Sequence, residues 1–334
     1  MTAELNRRNL LKASSAMAGG IAAMTTCAPV AATASADPGG LQVRREPAAE
    51  LREDRFRLGL NTSTIRGQKL SIVEEIAIAS KAGYQAMEPW LDELERYAAA
   101  GGSLEDLGKR FRDAGISVES AIGFFEWIVD DPERRRKGLE AARRGMELVR
   151  RIGGKRLAAP PVGATDRPLG DLYRAAERYR VLLELGDELG VVPEVEIWGH
   201  SRTLGRLGEA AFVAIEAHHP NACILPDVYH LYRGGSNIGS VKLLGPQSFF
   251  VLHFNDYPAQ PPRNQLTDAD RVYPGDGVAP LKELLLSLAR GGFAVTLSLE
   301  LFNRKLWGQD PLVVARTGLE KMKALVGTDG PKPA

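Results

Sequence analysis

The sequence predicts an α/β fold, a parallel (β/α)8 barrel over residues 56–326, and three observations carry that prediction. From Phe56 onward, short apolar runs alternate with longer amphipathic runs. Several amphipathic runs end in glycine just before the next apolar run: Ala82-Gly83-Tyr84, Ala114-Gly115-Ile116, Leu189-Gly190-Val191 and Gly291-Gly292-Phe293. Glycine just past a helix end takes the left-handed conformation without penalty. Finally, the first apolar run is followed by Asn61-Thr62-Ser63-Thr64-Ile65, without the Gly-rich phosphate turn usual in an open doubly wound sheet.

In chain order, the short apolar runs place strands at 58–63, 86–89, 117–122, 156–159, 192–197, 222–226, 249–254 and 294–299. Helical periodicity marks 71–82, 133–151, 172–189 and 279–290, and a last helix at 311–325 closes the series. Eight strands each followed by a helical segment fit the TIM-barrel arrangement.

Outside the barrel the pattern changes. Residues 1–36 place Arg7-Arg8 and Lys12 before a small apolar run at 13–23, and Ala34-Ser35-Ala36 then offers a cleavage site. That order describes an export signal, and the paired arginines resemble the twin-arginine type. A periplasmic or extracellular location is therefore expected. The apolar run is too short for a membrane span, so no stable span is expected after cleavage. Residues 37–55 read as a polar linker and 327–334 as a tail. Cleavage leaves a nearly neutral chain with Cys223 alone, which cannot form an internal disulfide.

The 334 residues suffice for one large core, and 44% hydrophobic with 25% charged content is ordinary for a globular protein. A net charge of +1 gives no bulk pull toward nucleic acid or acidic membranes.

Chemistry in such a barrel sits at the carboxyl ends of the strands. There the last four strands offer Glu196, Asp227, His253 and Glu300. Neighbouring strands lie roughly 5 Å apart, so four inward side chains can converge on one ion. A lone Glu at such a place is ordinarily a loop residue, but each strand here is otherwise apolar and an unpaired buried carboxylate is costly. Four such residues at successive strand ends point to one shared counter-charge. Three carboxylates and an imidazole favour manganese, magnesium, cobalt or zinc over copper.

At these residues the sequence resembles the xylose isomerase-like barrel superfamily of sugar isomerases and epimerases. That superfamily also holds inosose dehydratases and zinc-dependent endonucleases. The resemblance extends to Asp227-Val228-Tyr229-His230, to Asp270-Arg271, and to Pro274-Gly275-Asp276-Gly277. It implies that Glu196, Asp227, His253 and Glu300 bind a divalent metal, manganese being the first expectation. Glu196 and Glu300 would also act as acid and base on opposite faces of a substrate, through an enediolate. His230 and Arg271 would bind substrate oxygens; a structural pairing of Arg271 with Asp270 is the alternative. His200 would contact a substrate hydroxyl, orient Glu196 or simply bond its own loop. Glu88 and Trp90, at the second strand end, would face the pocket, with Phe124, Phe125, Trp127, Trp198 and Trp307 as aromatic neighbours.

There are departures. Residues 257–268 form a Pro-rich insertion. The endonucleases need further histidines, where this chain has Glu88, none near 119–124, and Val272. A nucleic-acid partner is therefore not expected. The expected partner is a small carbohydrate, and by resemblance the chain forms a homo-oligomer. Three readings stay open: an isomerase or epimerase; a lyase, hydratase or dehydratase on 3-keto sugars, keto-glycosides or keto-inositols; and an inactive carbohydrate-binding barrel.

Overall fold

The computed structural model describes residues 55–327, all within one compact unit, 47–334. The signal expected at 1–36, the linker up to residue 54 and the tail from 328 lie outside the described residues. Eight strands follow one another: β1 Phe56–Asn61, β2 Ala86–Glu88, β3 Ser117–Val118, β4 Arg156–Ala159, β5 Val192–Glu196, β6 Ile224–Leu225, β7 Val251–His253 and β8 Val295–Leu299. Their ladders are all parallel, in the orders β3-β2-β1-β8-β7 and β4-β5-β6.

Hydrogen bonds outside the ladders join these two runs. On one side Ala121 N donates to Arg156 O (3.1 Å) and Ala158 N to Ala121 O (2.9 Å). On the other, Ile224 N donates to Ser248 O (2.8 Å) and His253 N to Pro226 O (3.0 Å). The sheet thus closes and leaves no unpaired edge.

β4 has its expected bounds, whereas β3 and β6 are shorter than expected. β3 leaves its ladder at Glu119, whose carboxylate is drawn to Arg57 Nη1 at 2.5 Å. Just before β6, Cys223 N and O both bond the Tyr179 hydroxyl, at 3.1 and 2.8 Å, while Cys223 O also accepts from Val195 N at 3.2 Å.

The helices are α1 Ile72–Ala82, α2 Leu91–Ala99, α3 Leu104–Asp113, α4 Pro132–Arg151, α5 Leu172–Leu189, α6 Leu207–Glu216, α7 Val228–Arg233, α8 Leu281–Arg290 and α9 Pro311–Val326. Their ends follow local chemistry. Ser71 and Glu74 form a reciprocal capping box on α1. Asp131 and Asp310 cap α4 and α9, each followed by a proline at the first helical position. Gly83, Gly115, Gly190 and Gly292 have φ of 100°, 71°, 69° and 77°, as their places in the sequence predict.

Most of the core lies between strands and helices, where Leu60, Leu297 and Leu299 join Val314, Leu319 and Met322 in one buried apolar shell. Burying each such side chain is worth about 1.5–3 kcal/mol. At Gly318 a Cβ would come within 2.3 Å of Leu299 Cδ2, so α9 can approach β8 closely only with glycine there.

A separate apolar cluster of Ile122, Ala158, Leu225 and Val251 packs against Trp90. Strand periodicity puts Val251 on the face of His253 and Leu225 on that of Asp227, so this cluster fills the barrel interior below those groups. At the amino end of the strands, Arg57 pairs with Glu119 (2.5 Å), and Arg156 lies 3.7 Å from Glu119 and 3.6 Å from Glu194. The barrel interior is therefore polar at both ends and apolar between them.

Candidate metal centre

Glu196 ends β5, His253 ends β7, Asp227 follows β6 by two residues and Glu300 directly follows β8. Asp227, His253 and Glu300 are buried, and one ligand atom from each lies within 4.8 Å of the others. His253 Nδ1 is 3.2 Å from Glu300 Oε2, 3.5 Å from Asp227 Oδ2 and 3.8 Å from Glu196 Oε1. The second oxygen of Glu196 is buried without a hydrogen-bond partner. A buried carboxylate oxygen left so is costly. Two carboxylates and an imidazole grouped in this way, with Glu196 beside the imidazole, fit a hard divalent ion.

The Asp-x-x-His segment explains how Asp227 is held. Asp227 caps α7, with its Oδ1 accepting from His230 N at 2.8 Å. That leaves Oδ2 for the site, where Asn255 Nδ2 donates to it at 3.1 Å. His230 itself is buried, and its Nε2 lies 3.1 Å from Arg271 Nη2.

Arg271 is 1% exposed. Its Nη1 donates to Asp227 Oδ2 (2.7 Å) and Glu300 Oε2 (2.6 Å), and its Nη2 to Asp268 Oδ1 (2.6 Å). The alternative pairing of Arg271 with Asp270 is not found. Asp270 instead accepts from Thr267 N and Oγ1, both at 2.8 Å, closing a short 3-10 turn.

Asp256 anchors the segment that follows Arg271. Its carboxylate accepts from the backbone N–H of Gly275 (3.0 Å), Gly277 (3.1 Å) and Ala279 (2.9 Å). A Cβ at Gly277 would stand 2.3 Å from Asp256 Oδ1 and from Tyr257 O, which accounts for that glycine of the Pro-Gly-x-Gly stretch.

Glu88 points into the barrel but is only 1% exposed and sits behind His253, not in an open pocket. Its Oε2 accepts from Asn61 Nδ2 (2.9 Å) and Ser298 Oγ (2.7 Å) and lies 3.1 Å from His253 Nε2. These buried donors, from the next strand β1 and from β8 beyond it, hold it there. Asn61 Nδ2 also reaches Glu300 Oε1 at 3.2 Å, and its Oδ1 accepts from Trp90 Nε1 at 3.0 Å.

Trp90 packs edge-on against Phe124 (5.2 Å) and Phe302 (5.9 Å), and Trp198 lies 5.9 Å from Phe124. Trp198 stacks on His200 at 5.5 Å, and His200 is 5.8 Å from His230. These rings form one arc beside the carboxylates, with Phe124 half exposed. Trp127 and Phe125, expected at the mouth, are instead buried; Trp127 packs on Tyr179 and donates to Pro160 O at 2.8 Å. Trp307 ties its loop to Ser63 O at 3.0 Å.

The charges are strongly shifted. Burial pushes Glu196 up to about 8, with His253 opposing and Glu300 adding to the shift. Burial works against a charge on His253, but Glu300 and Glu88 outweigh it and raise its pKa. Burial pushes His230 down to about 3, so it is a neutral imidazole at ordinary pH. Burial would also raise Asp227, yet the guanidinium of Arg271 holds it well below the usual carboxylate range.

Asn61, Ser298, Asn255 and Asp268 support the site without having been singled out for it by the sequence. Asn61 and Ser298 had a usable signal, being polar groups in otherwise apolar strands. Asp268 had none, since it lies in the Pro-rich insertion and meets Arg271 only in three dimensions.

Residues 76–325 match a protein family described as xylose isomerase-like TIM barrel. An inosose isomerase of Bacillus velezensis is 28% identical over 262 residues, covering 77% of this chain and 92% of that protein. A 3-dehydroshikimate dehydratase of Pseudomonas aeruginosa is 25% identical over 253 residues, covering 70% of this chain and 36% of that protein. Among solved structures, the IolI protein with a bound zinc atom superposes with a TM-score of 0.76 at 22% identity, over 83% of this chain and 100% of that one. The family match spans most of the chain and the barrel closes as that family's does, so the protein belongs to the xylose isomerase-like TIM barrel family.

Proposed function

We propose that the protein is a divalent-metal-dependent isomerase or epimerase acting on an uncharged keto sugar or cyclic keto polyol. The observation that carries this reading is the buried group of Asp227, His253 and Glu300 at successive strand ends, with Glu196 Oε1 3.8 Å from His253 Nδ1 on the neighbouring strand. A divalent ion held by these four residues, manganese first and magnesium, cobalt or zinc as alternatives, would supply Lewis-acid polarisation of the substrate carbonyl. Glu196 takes the proton from the carbon beside the carbonyl, leaving an enediolate. Glu300 returns a proton on the opposite face, or to the neighbouring carbon in an isomerisation. Arg271, whose Nε is buried without a partner, and the neutral His230, whose Nδ1 is likewise free of one, would hold the enediolate oxygens.

An uncharged substrate is favoured because the guanidinium of Arg271 is already matched by Asp227, Glu300 and Asp268. The aromatic arc from Trp90 to His200 suits the C–H face of a sugar or cyclitol ring. The likeness to inosose isomerases supports the same reading.

A second reading is a dehydratase, supported by the likeness to 3-dehydroshikimate dehydratases. Proton removal by Glu196 would then be followed by loss of a β-hydroxyl as water. Export through the twin-arginine route also remains a proposal, checked by fractionating cells that express the full chain.

The test is NMR of keto sugars and inososes with manganese-loaded protein, the ion then removed by chelation, in deuterated water. Deuterium incorporation with inversion or carbonyl migration supports the first reading, and an enone product the second. If metal is bound but no substrate exchanges, the barrel is a binder. Glu196→Gln is expected to lower exchange about 10²–10⁴-fold.

A further inference from the structure

We infer that Glu88 is a positioning residue for His253, fixing which ring nitrogen faces the metal site and thereby setting metal affinity. The inference rests on the metal reading above. The two nitrogens of His253 have separate surroundings: Nδ1 faces Glu300, Asp227 and Glu196 at 3.2, 3.5 and 3.8 Å, and Nε2 faces Glu88 Oε2 at 3.1 Å. In a neutral imidazole one nitrogen carries the proton and the other the lone pair. Nε2 is buried and has no hydrogen-bond partner of its own, and a carboxylate 3.1 Å away favours the proton on that nitrogen, which turns the lone pair of Nδ1 to the site.

Glu88 is itself held through one oxygen by two donors. It belongs to β2, and its Oε2 accepts from Asn61 on β1 (2.9 Å) and Ser298 on β8 (2.7 Å). The register places Asn61 beside Glu88 and Ser298 beside His253, so strand pairing alone brings these groups to one level. Glu88 is 1% exposed, and it faces the His253 nitrogen opposite to the one that faces Glu300, Asp227 and Glu196. A buried carboxylate in that place does little for the core except orient the ring. Asn61 adds a cross-link, since the same amide bonds Glu88 and Glu300 Oε1 (3.2 Å).

The test is zinc affinity of the full chain by chelator competition, for wild type, Glu88→Gln, Glu88→Ala and Glu119→Gln. The last removes a buried carboxylate at the far end of the barrel and serves as the control. The amide oxygen of Glu88→Gln can still accept from Asn61, Ser298 and His253, so this variant keeps the fold while losing the charge. Expected losses are roughly 10-fold for Glu88→Gln and roughly 100-fold for Glu88→Ala, the range for outer partners of metal-binding histidines. Glu119→Gln should bind zinc as wild type does. In zinc-loaded protein labelled with ¹⁵N-histidine, the His253 Nε2 proton should be downfield and slow to exchange, and should lose both features in Glu88→Ala. A role in packing alone would leave that proton unmarked. Equal zinc affinity in wild type and both Glu88 variants overturns the inference while the metal reading stands. Failure of the wild type to bind any divalent ion overturns the metal reading and this inference with it.

Discussion

Arg271 Nη1 and Asp227 Oδ2 form an ion pair at 2.7 Å with both side chains out of contact with solvent. The same nitrogen holds Glu300 at 2.6 Å, so one guanidinium edge balances two carboxylates that also face His253. Removing one partner of a buried pair leaves an uncompensated charge, at a cost of about 3–5 kcal/mol. Arg271→Ala should destabilise the metal-free protein by that order in urea unfolding. Saturating zinc or manganese should recover part of the loss by supplying a positive charge at the same carboxylates. A loss that is identical with and without the ion would show that Arg271 and the metal do not share Asp227 and Glu300.

Asp227→Asn separates the two tasks of Asp227. The amide oxygen can still cap α7 by accepting from His230 N, so the fold should persist. The charge needed by a hard cation is gone. Elemental analysis should therefore find bound metal reduced from about one ion per chain to background, since a hard cation needs carboxylate charge. Metal content equal to that of the wild type would remove Asp227 from the ligand set.

Asp256 carries a structural prediction. Its carboxylate accepts three backbone N–H groups from residues 275–279, besides that of Tyr257 at 2.8 Å. Each buried donor left without a partner costs roughly 1–3 kcal/mol, although water can recover part of this once the loop loosens. Asp256→Ala should lower stability by about 2–4 kcal/mol and speed amide exchange across residues 272–279. Unchanged exchange there would mean that other contacts hold the loop.

Glu75 gives a pH dependence that can be read away from the metal site. It lies on α1, is 2% exposed and has one buried oxygen without a partner. Burial pushes it up to about 9, Glu93 adding and Arg66 opposing. The folded chain thus keeps a proton that the unfolded chain releases near its ordinary value of 4.5. Because the native state binds more protons between those values, stability falls as pH rises from about 4.5 to about 9. Glu75→Gln removes the titration. It should stabilise the protein by roughly 2 kcal/mol at pH 8, have little effect near pH 4.5, and flatten the profile between them. Parallel profiles for wild type and variant would show that Glu75 is already ionised in the fold.

Much of the barrel was legible in the chain because each signal is local. Apolar runs of strand length, helix caps such as Ser71 and Asp131, and glycines such as Gly83 and Gly190 act within a few residues of themselves. The four residues Glu196, Asp227, His253 and Glu300 stood out for a related reason, as polar groups ending apolar strands. Strand bounds were less legible. β3 and β6 are shorter than their apolar runs, and the contacts at their ends, Glu119 with Arg57 and Cys223 with Tyr179, join residues 62 and 44 apart in the chain.

The sequence by itself determined the family, the order of the barrel and the donor types available at its carboxyl end. Tertiary structure decided what each donor faces. Closure brings β2 and β7 across the same interior, so Glu88 meets the far nitrogen of His253 instead of an open pocket. The Pro-rich segment 257–268 places Asp268, with no pattern to mark it, beside Arg271, where adjacency suggested Asp270. The reason is physical: periodicity fixes which side of a strand or helix a residue occupies, but hydrogen bonds and ion pairs depend on distances of about 3 Å that only the closed barrel sets.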